Sequence, residues 1–456
     1  MKRPTTNNAP LELGEAPVTT LLRKYAMPAI IAMTASSLYN IVDSIFIGHG
    51  VGALALSGLT VAKPFMDICA AFGSLVGVGA STQIAIRLGE KRYNIARRVL
   101  GNVLVLNGIL GFIVMAVGMY WIDPILIAFG ASEDTLPYAH DYMWVILIGN
   151  ILTHIYFGLN NVLRSSGHPK RSMVATIVAV TANIILDPIF IFGLDMGVRG
   201  AALATVISQA IAVIWQIVIF LNPNELLHFH RGMWKIEGDI VRSIFAIGMS
   251  PFLMNIAHCF VVIILNNQLK RYGGDLAIGA YGVINRFTFV FAMIVMGLNQ
   301  GMQPIVGYNY GAKKYQRMLS AFRLTAVLAT IITSLVFLLG ELVPTEMVKI
   351  FTHDEALIAM SVPAMRIVLC MFFCTGFQMV AGNFFTSIGM AAKSIFLSLT
   401  RQVLYLIPLS LVLPSLWGLN GVWWSLPISD IVSAFTAAIM LRIHFKRAYK
   451  NSTFVD

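Results

Sequence analysis

Two stretches of this 456-residue chain set a carboxylic acid among apolar neighbours, YNIVDSIFI around Asp43 and NIILDPIFIF around Asp187. A carboxylate in a low-dielectric setting is costly to keep charged, and a carboxylate pair needs a proton, a metal cation or a basic group to balance it. Asn183 precedes Asp187 by four residues and shares its helical face, adding an amide to the carboxyl. Pro188 removes a backbone donor beside Asp187 and leaves carbonyl oxygen free for a cation or water. Carboxyl, amide and carbonyl oxygens suit H⁺ or Na⁺. No Lys or Arg is expected at that level, so uptake of one of those ions is the chemistry these residues point to. Two further acids, Asp67 and Asp430, also interrupt apolar runs.

The elements that must position these acids follow from composition. Hydrophobic residues make up 57% and charged residues 12% of the chain, against roughly 25% charged in a soluble protein. Twelve apolar runs reach the roughly 20 residues needed to cross a bilayer. They fall near 25–48, 56–80, 99–121, 141–163, 172–193, 200–221, 244–266, 277–302, 324–343, 361–385, 395–414 and 422–441. The fold class expected is an all-α polytopic membrane protein. Its net charge of +11 comes from short segments between the runs, and 24 of the 32 Lys and Arg fall on one side of the predicted topology. That asymmetry predicts both termini in the cytoplasm and an even number of spans, and it leaves no basic face for nucleic acid. The first twenty residues are polar and the first apolar run is too long for a cleaved signal, which predicts that this run is retained. Cys69, Cys259, Cys370 and Cys374 all sit in apolar segments without zinc-site spacing and read as core filling. No Walker A sequence is present, so ATP is not expected to drive the protein.

The chain also resembles itself. A shift of 222 residues aligns Gly52–Tyr93 with Gly274–Tyr315 without a gap and with ten identities, and pairs Asn161, Ser165 and Gly167 with Asn383, Ser387 and Gly389. A shift of 221 lays GVRGAALATVIS over GLNGVWWSLPIS. The expectation is two pseudo-symmetric six-helix lobes, 1–221 and 244–456, joined by a cytoplasmic linker over 222–243. Six helices per unit give both lobes the same orientation, as in parallel transporter repeats with alternating access. At about 1.5 Å per residue, Asp43, fifteen residues beyond Pro28, and Asp187, fifteen beyond Ser172, reach one level in the outer half of the bilayer. Thr205 begins the descent of helix 6 at a similar level.

Other polar residues within the predicted helices are candidates for a substrate cavity: Tyr39, Asn40, Lys63, Asp67, His258, Arg286 and Asp430. Lys63 and Asp67 stand four apart and are expected to pair. Under the repeat, Arg286 follows the Lys63 equivalent, Asn285, and Asp430 aligns with Gln209.

With its duplicated six-helix unit, YNIVD on helix 1, NIILDP on helix 5 and the paired loops LGEKRY and YGAKKY, the chain resembles the multidrug and toxic compound extrusion family from about Leu21 to His444. The resemblance implies twelve helices in two lobes, a V-shaped central cavity, and export of cationic amphipathic drugs across the inner (plasma) membrane by H⁺ or Na⁺ antiport, with no other cofactor. It implies cation-coupling roles for Asp43, Asp187, Asn183, Thr205 and, on helix 4, Asn160. No metal is expected beyond Na⁺ at the first four. One branch of the family also carries acids on helices 7 and 10; PFLMNIAHCF and FCTGFQMVAGN hold none, which implies a cation site in the first lobe. A lipid-linked saccharide flippase is the alternative for the same fold. It calls for cavity cations, with Lys63, Arg286 and Arg401 as the candidates. An enzyme would need a catalytic cluster that the sequence does not offer.

Overall fold

The computed structural model describes residues 11–450, and within them the regular structure is helical, with no strand. Among the described residues, nine helices are long and apolar enough to cross a membrane: Val18–Gly50, Leu54–Gly89, Tyr93–Tyr120, Pro169–Gly193, Gly197–Leu221, Gly238–Gly311, Tyr315–Leu342, Ala391–Trp417 and Leu419–Arg447. Gly238–Gly311 is 74 residues long and turns at Gly274, where φ is 68° and ψ is −166°. A glycine tolerates this left-handed backbone without steric cost, and here it divides the helix into two crossings. Two bent pairs complete the set, Leu136–Ile148 with Asn150–Ser165 at 57° and Glu355–Leu369 with Phe373–Ser387 at 52°. The result is twelve spans, numbered 1 to 12 below in chain order, with spans 7 and 8 being 238–273 and 275–311.

The duplication extends to details that hydropathy does not report. Spans 3 and 9 are each followed by a short helix, Ile122–Ala128 and Pro344–Lys349. Spans 4 and 10 bend at equivalent places. Spans 5 and 11 each contain a π-type turn, but at different depths, Ile189–Gly193 at the end of one and Thr400–Leu406 in the middle of the other.

Contacts divide the chain into two compact units. The first holds Met27–Phe252 and Gly307–Ala312 with the N-terminal segment through Ala16, and the second holds Pro17–Ala26, Leu253–Val306 and the chain from Lys313 onward. The first unit packs around Ile47, Phe65, Tyr142, Leu147, Ile191 and Ala201. The second packs around Leu265, Ile284, Met365, Leu406, Trp423 and Leu426. In the first, span 2 runs so close to the start of span 7 that a Cβ on Gly79 would strike the Ile244 carbonyl. In the second, the equivalent Gly301 of span 8 faces the start of span 1, where a Cβ would come within 2.6 Å of the Ala26 nitrogen. Glycine is what permits both approaches.

The segment after span 6 is held against the first unit. Glu225 is buried, with its carboxylate 2.9 Å from His168 Nε2 and 2.7 Å from Arg171 Nη1. Arg97 Nε donates to the Leu226 carbonyl at 3.0 Å, and Arg98 pairs with Glu237 at 2.8 Å. Buried Leu227 and Met233 add apolar anchorage. A polar stretch of this length reads as a solvated connection, yet a buried, multiply paired carboxylate, two arginine contacts and two apolar anchors hold it in place.

Candidate functional site

Span 1 carries Asp43 on its buried edge, and span 5 presents Asn183 and Asp187 one helical turn apart. Span 6 supplies Thr205. All four side chains are buried, with Asp187 completely so. The Asp43 and Asp187 carboxyls stand at hydrogen-bonding range of one another. Two carboxyls can share a hydrogen bond only if one holds a proton; otherwise a cation must stand between them. Among the described residues, Asp43 Oδ1 has no hydrogen-bond partner.

The neighbours are neutral donors and acceptors. Turned to satisfy both of its ends, the Asn183 amide donates to Asp187 Oδ2 at 2.9 Å and presents its oxygen to the backbone N–H and hydroxyl of Thr205, both at 3.2 Å. The Tyr39 hydroxyl lies 3.3 Å from Thr205 Oγ1. Tyr142, on the first arm of span 4, brings a second phenol to Thr205 and interacts electrostatically with both acids. Beside Asp187, Pro188 lacks the N–H that would bond the Ile184 carbonyl, and the π-type turn follows at once. The whole set is a cage of oxygen ligands around a carboxyl pair, chemistry that suits a proton or a hard monovalent cation.

The structure therefore gathers Asp43, Asp187, Asn183, Thr205 and Tyr39 in one place. It does not bring Asn160 to them. Asn160 stands on the second arm of span 4, beyond the bend, where it donates to Thr176 Oγ1 at 2.9 Å and accepts from Ser172 Oγ at 2.5 Å. Tyr156 donates to the same Thr176 at 3.2 Å, and Tyr156 in turn interacts electrostatically with Tyr39. Asn160 thus belongs to a second polar layer, linked to the carboxyl layer through the two tyrosines.

Lys63 and Asp67 form their expected pair at 2.6 Å on span 2, each about half exposed. Asp430, buried on span 12, is bonded at 2.5 Å by Arg401 Nε from the π-type turn of span 11. One candidate cavity acid and one candidate cavity cation thus neutralise each other inside the second unit. Arg286 and His258 are exposed on spans 8 and 7, within the second unit. The side chain of Asn40 lies outside the described residues. Among the described residues, no three His, Cys, Asp or Glu side chains converge on a metal site.

Tyr142 and Tyr156 escaped the sequence reading. Their one available signal is general: a buried phenol needs a hydrogen-bond partner, so a tyrosine in the middle of an apolar run marks a polar neighbour. His154 shows the bland outcome of the same logic, since its Nε2 is bonded to the Cys69 carbonyl at 2.9 Å within the core.

Comparison with known proteins places the chain in a family. The MatE family model matches twice, over residues 28–189 and 251–412, once in each repeat. The multidrug export protein MepA of Staphylococcus aureus (strain NCTC 8325 / PS 47) is 30% identical over 432 residues, 94% of each chain, and MepA of Staphylococcus haemolyticus (strain JCSC1435) is 30% identical over 427 residues with the same coverage. Among solved structures, the MATE multidrug transporter DinF-BH in complex with rhodamine 6G superposes with a TM-score of 0.87 at 36% identity, covering 100% of this chain and 99% of that one. A MATE protein crystallised in a bent conformation reaches 0.92 at 24% identity, covering 98% and 99%, a likeness of fold. This chain belongs to the MatE family and is a multidrug and toxic compound extrusion (MATE) transporter.

Proposed function

We propose that the protein exports cationic amphipathic compounds by antiport against H⁺ or Na⁺, with Asp43 and Asp187 as the ion-accepting groups and Asn183, Thr205 and Tyr39 as their supporting ligands. The observation that carries this reading is the buried carboxyl pair itself, ringed by neutral oxygens and an amide. A proton or a small cation balances such a pair. Asn160 acts from the adjacent layer, through Tyr156 and Tyr39, rather than as a direct ligand. The multidrug export named for the MepA relatives and the rhodamine 6G of the DinF-BH complex support a drug as cargo. The inner membrane, with both termini in the cytoplasm, is the location that fits the charge distribution.

For coupling, ion occupancy must favour one of two conformations of the protein, because a ligand that binds both states equally shifts nothing. The lipid-linked saccharide alternative is weakened by the fate of its cations: Lys63 is paired with Asp67 and Arg401 with Asp430. The test is purified protein in liposomes, with movement of rhodamine 6G followed under an imposed pH gradient and then under an imposed Na⁺ gradient. Dye movement driven by one gradient and lost in Asp187→Asn names the ion and supports the reading. Full gradient-driven movement in Asp187→Asn removes it.

A further inference from the structure

Arg286 stands on span 8 eleven residues beyond Asp275, or about 16 Å along the axis from the turn at Gly274. Exposed Lys270, Arg271 and Asp275 mark that turn as the water boundary, so Arg286 lies near the middle of a hydrocarbon layer roughly 30 Å thick. The residue is exposed, and among the described residues it makes neither an ion pair nor a side-chain hydrogen bond. The other two candidate cavity cations are neutralised, Lys63 by Asp67 at 2.6 Å and Arg401 by Asp430 at 2.5 Å. The repeat explains the difference, because Phe289 occupies the place of Asp67.

The same repeat shows what this side of span 8 meets. The gap-free alignment lays Gly282, Asn285 and Phe289 over Thr60, Lys63 and Asp67, with Arg286 beside Asn285. Each repeat thus keeps exposed hydrophilic side chains on one face of its second span, at one depth, using different residues. A face turned to lipid tails does not keep such side chains; intramembrane charges turn to water or to protein. Arg366 gives the contrast. It too is exposed eleven residues into its span, but its repeat counterpart is exposed Trp144, and exposed Pro363 and Ala359 lie one and two turns away. Such surroundings are those of a side chain that runs along the helix to the interface.

Around Arg286 the face divides into a polar and an apolar part. A helical side chain leans over the turn before it, and here that turn holds Gly282, where a Cβ would meet nothing within 4 Å. Exposed Asn285 adds a carboxamide next to the guanidinium. Three and four residues beyond Arg286, Phe289 and Val290 are 47% and 57% exposed and form an apolar step. A guanidinium offers planar, forked donors that match a carboxylate at two points. Set beside an apolar step, it fits an amphipathic molecule that bears a carboxylate.

We propose that Arg286 is a specificity-determining residue, whose guanidinium, with the Asn285 carboxamide beside it, binds the carboxylate of amphipathic cargo that lays its apolar body on Phe289 and Val290. The cargo class this selects is zwitterionic, a cationic aromatic compound that also carries a carboxylate. The carboxyl cage of the first unit takes no part in the discrimination, and no covalent step is involved.

The inference rests on the proposed drug export, and a matched pair of dyes keeps the two apart. Rhodamine 6G is an ethyl ester; its free acid has the same cationic chromophore and a carboxylate in place of the ester. Binding of each dye to the purified full-length protein is measured at neutral pH in a neutral detergent for wild type, Arg286→Gln and Arg286→Lys, and again with phosphatidylglycerol added. Arg286→Gln is expected to bind the free acid about tenfold more weakly, the worth of one charge-assisted hydrogen bond, and to bind rhodamine 6G within about twofold of wild type. Arg286→Lys, which keeps the charge without the fork, is expected to fall between the two. A free acid that wild type does not bind, or binds no better than Arg286→Gln does, overturns the role of Arg286 while rhodamine 6G binding leaves drug export standing; so does an equal loss for both dyes. Wild type that binds neither dye overturns both readings. If phosphatidylglycerol removes the difference between wild type and Arg286→Gln for the free acid, the guanidinium belongs to a lipid phosphate and the cargo role falls.

Discussion

The two units are built from equivalent helices and differ in what those helices bury. In the first, Asp43 and Ile47 are successive buried positions on span 1; in the second, Leu265 and Leu269 are their counterparts on span 7. Along span 5 the buried positions include Asn183 and Asp187, and along span 11 they include Leu406 and Ser410, the π-type turn at Thr400–Leu406 accounting for one added residue in the offset. Thr205 on span 6 matches Leu426 on span 12. Three polar members of the cage thus have leucines in their places, and all three leucines belong to the apolar core of the second unit. The same backbone arrangement stands without the acids. The second unit thus forms its core without acids at these places, and that difference sets the carboxyl cage apart from buried polar residues that the shared packing requires.

That comparison can be broken most directly by converting one unit into the other. The quadruple variant Asp43→Leu, Asn183→Leu, Asp187→Ser, Thr205→Leu, which leaves no buried acid behind, is expected to abolish gradient-driven dye transport while leaving resistance to thermal unfolding unchanged or raised. Replacing buried polar groups by apolar ones of similar size is often neutral or stabilising by about 1–4 kcal/mol. Transport in liposomes and the unfolding midpoint of the purified protein check the two halves of the statement. A marked fall in the midpoint would make the cage a structural element and the leucines of the second unit its poor analogue.

The second unit has a polar site of its own, one turn further along. Gln209 on span 6 meets Thr153 at 2.5 Å; at the equivalent of Gln209, Asp430 meets Arg401. A neutral pair in one unit is an ion pair in the other. Arg401→Met, which leaves Asp430 buried and uncompensated, is expected to cost about 3–5 kcal/mol of stability. The double variant Arg401→Met, Asp430→Leu is expected to recover most of that. Unfolding midpoints for the two variants give the result. A double variant as unstable as the single one would show that the pair does more than neutralise itself.

How much of this was legible in the sequence depends on the kind of signal. The twelve spans were, because a bilayer sets a length and a polarity that apolar runs satisfy or fail. The acids of the cage were, since a charge in such a run stands out and a fixed rise per residue puts Asp43 and Asp187 at one depth. Tyr142 was not: a tyrosine does not interrupt an apolar run, and the bend in span 4 that aims its first arm at the cage has no proline to announce it. That same bend carries Asn160 into a different layer from the one its family role implied. The Arg401–Asp430 pair was hidden by register, because Arg401 lies further along the chain from the turn at Gly418 than Asp430 does. The long arginine side chain and the π-type turn make up the difference. Glu225 was missed for the simplest reason, that a single buried carboxylate in a polar connection looks like its exposed neighbours.

The close helix approaches offer a milder test, and one in which the units are expected to agree. Gly79→Ala and Gly301→Ala each place a methyl against backbone, at Ile244 and at Ala26 respectively. Neither contact can yield by rotating a side chain. Overpacking of this kind typically costs about 1–3 kcal/mol. Equal losses for the two variants would show that the shared packing is symmetric even where the buried chemistry is not, and unequal losses would locate an asymmetry in the backbone itself.

The smallest effect separates a shared hydrogen bond from a private one. Ser172 Oγ lies 3.2 Å from the carbonyl of Asn160, and its counterpart Ser394 Oγ lies 3.4 Å from the carbonyl of Gly382, the residue at the repeat position of Asn160. Ser394 also meets Thr386 at 2.5 Å. Glycine offers no side chain, whereas in the first unit the serine also touches the Asn160 amide oxygen. Either serine changed to alanine is expected to lose about 1 kcal/mol, the ordinary worth of a hydrogen bond in a folded protein. Transport should respond differently: Ser172→Ala frees the Asn160 amide in the layer next to the cage and is expected to slow dye efflux several-fold, while Ser394→Ala leaves the rate unchanged. Equal rates for the two variants, at equal amounts of inserted protein, would confine the coupling machinery to the carboxyl layer and remove Asn160 from it.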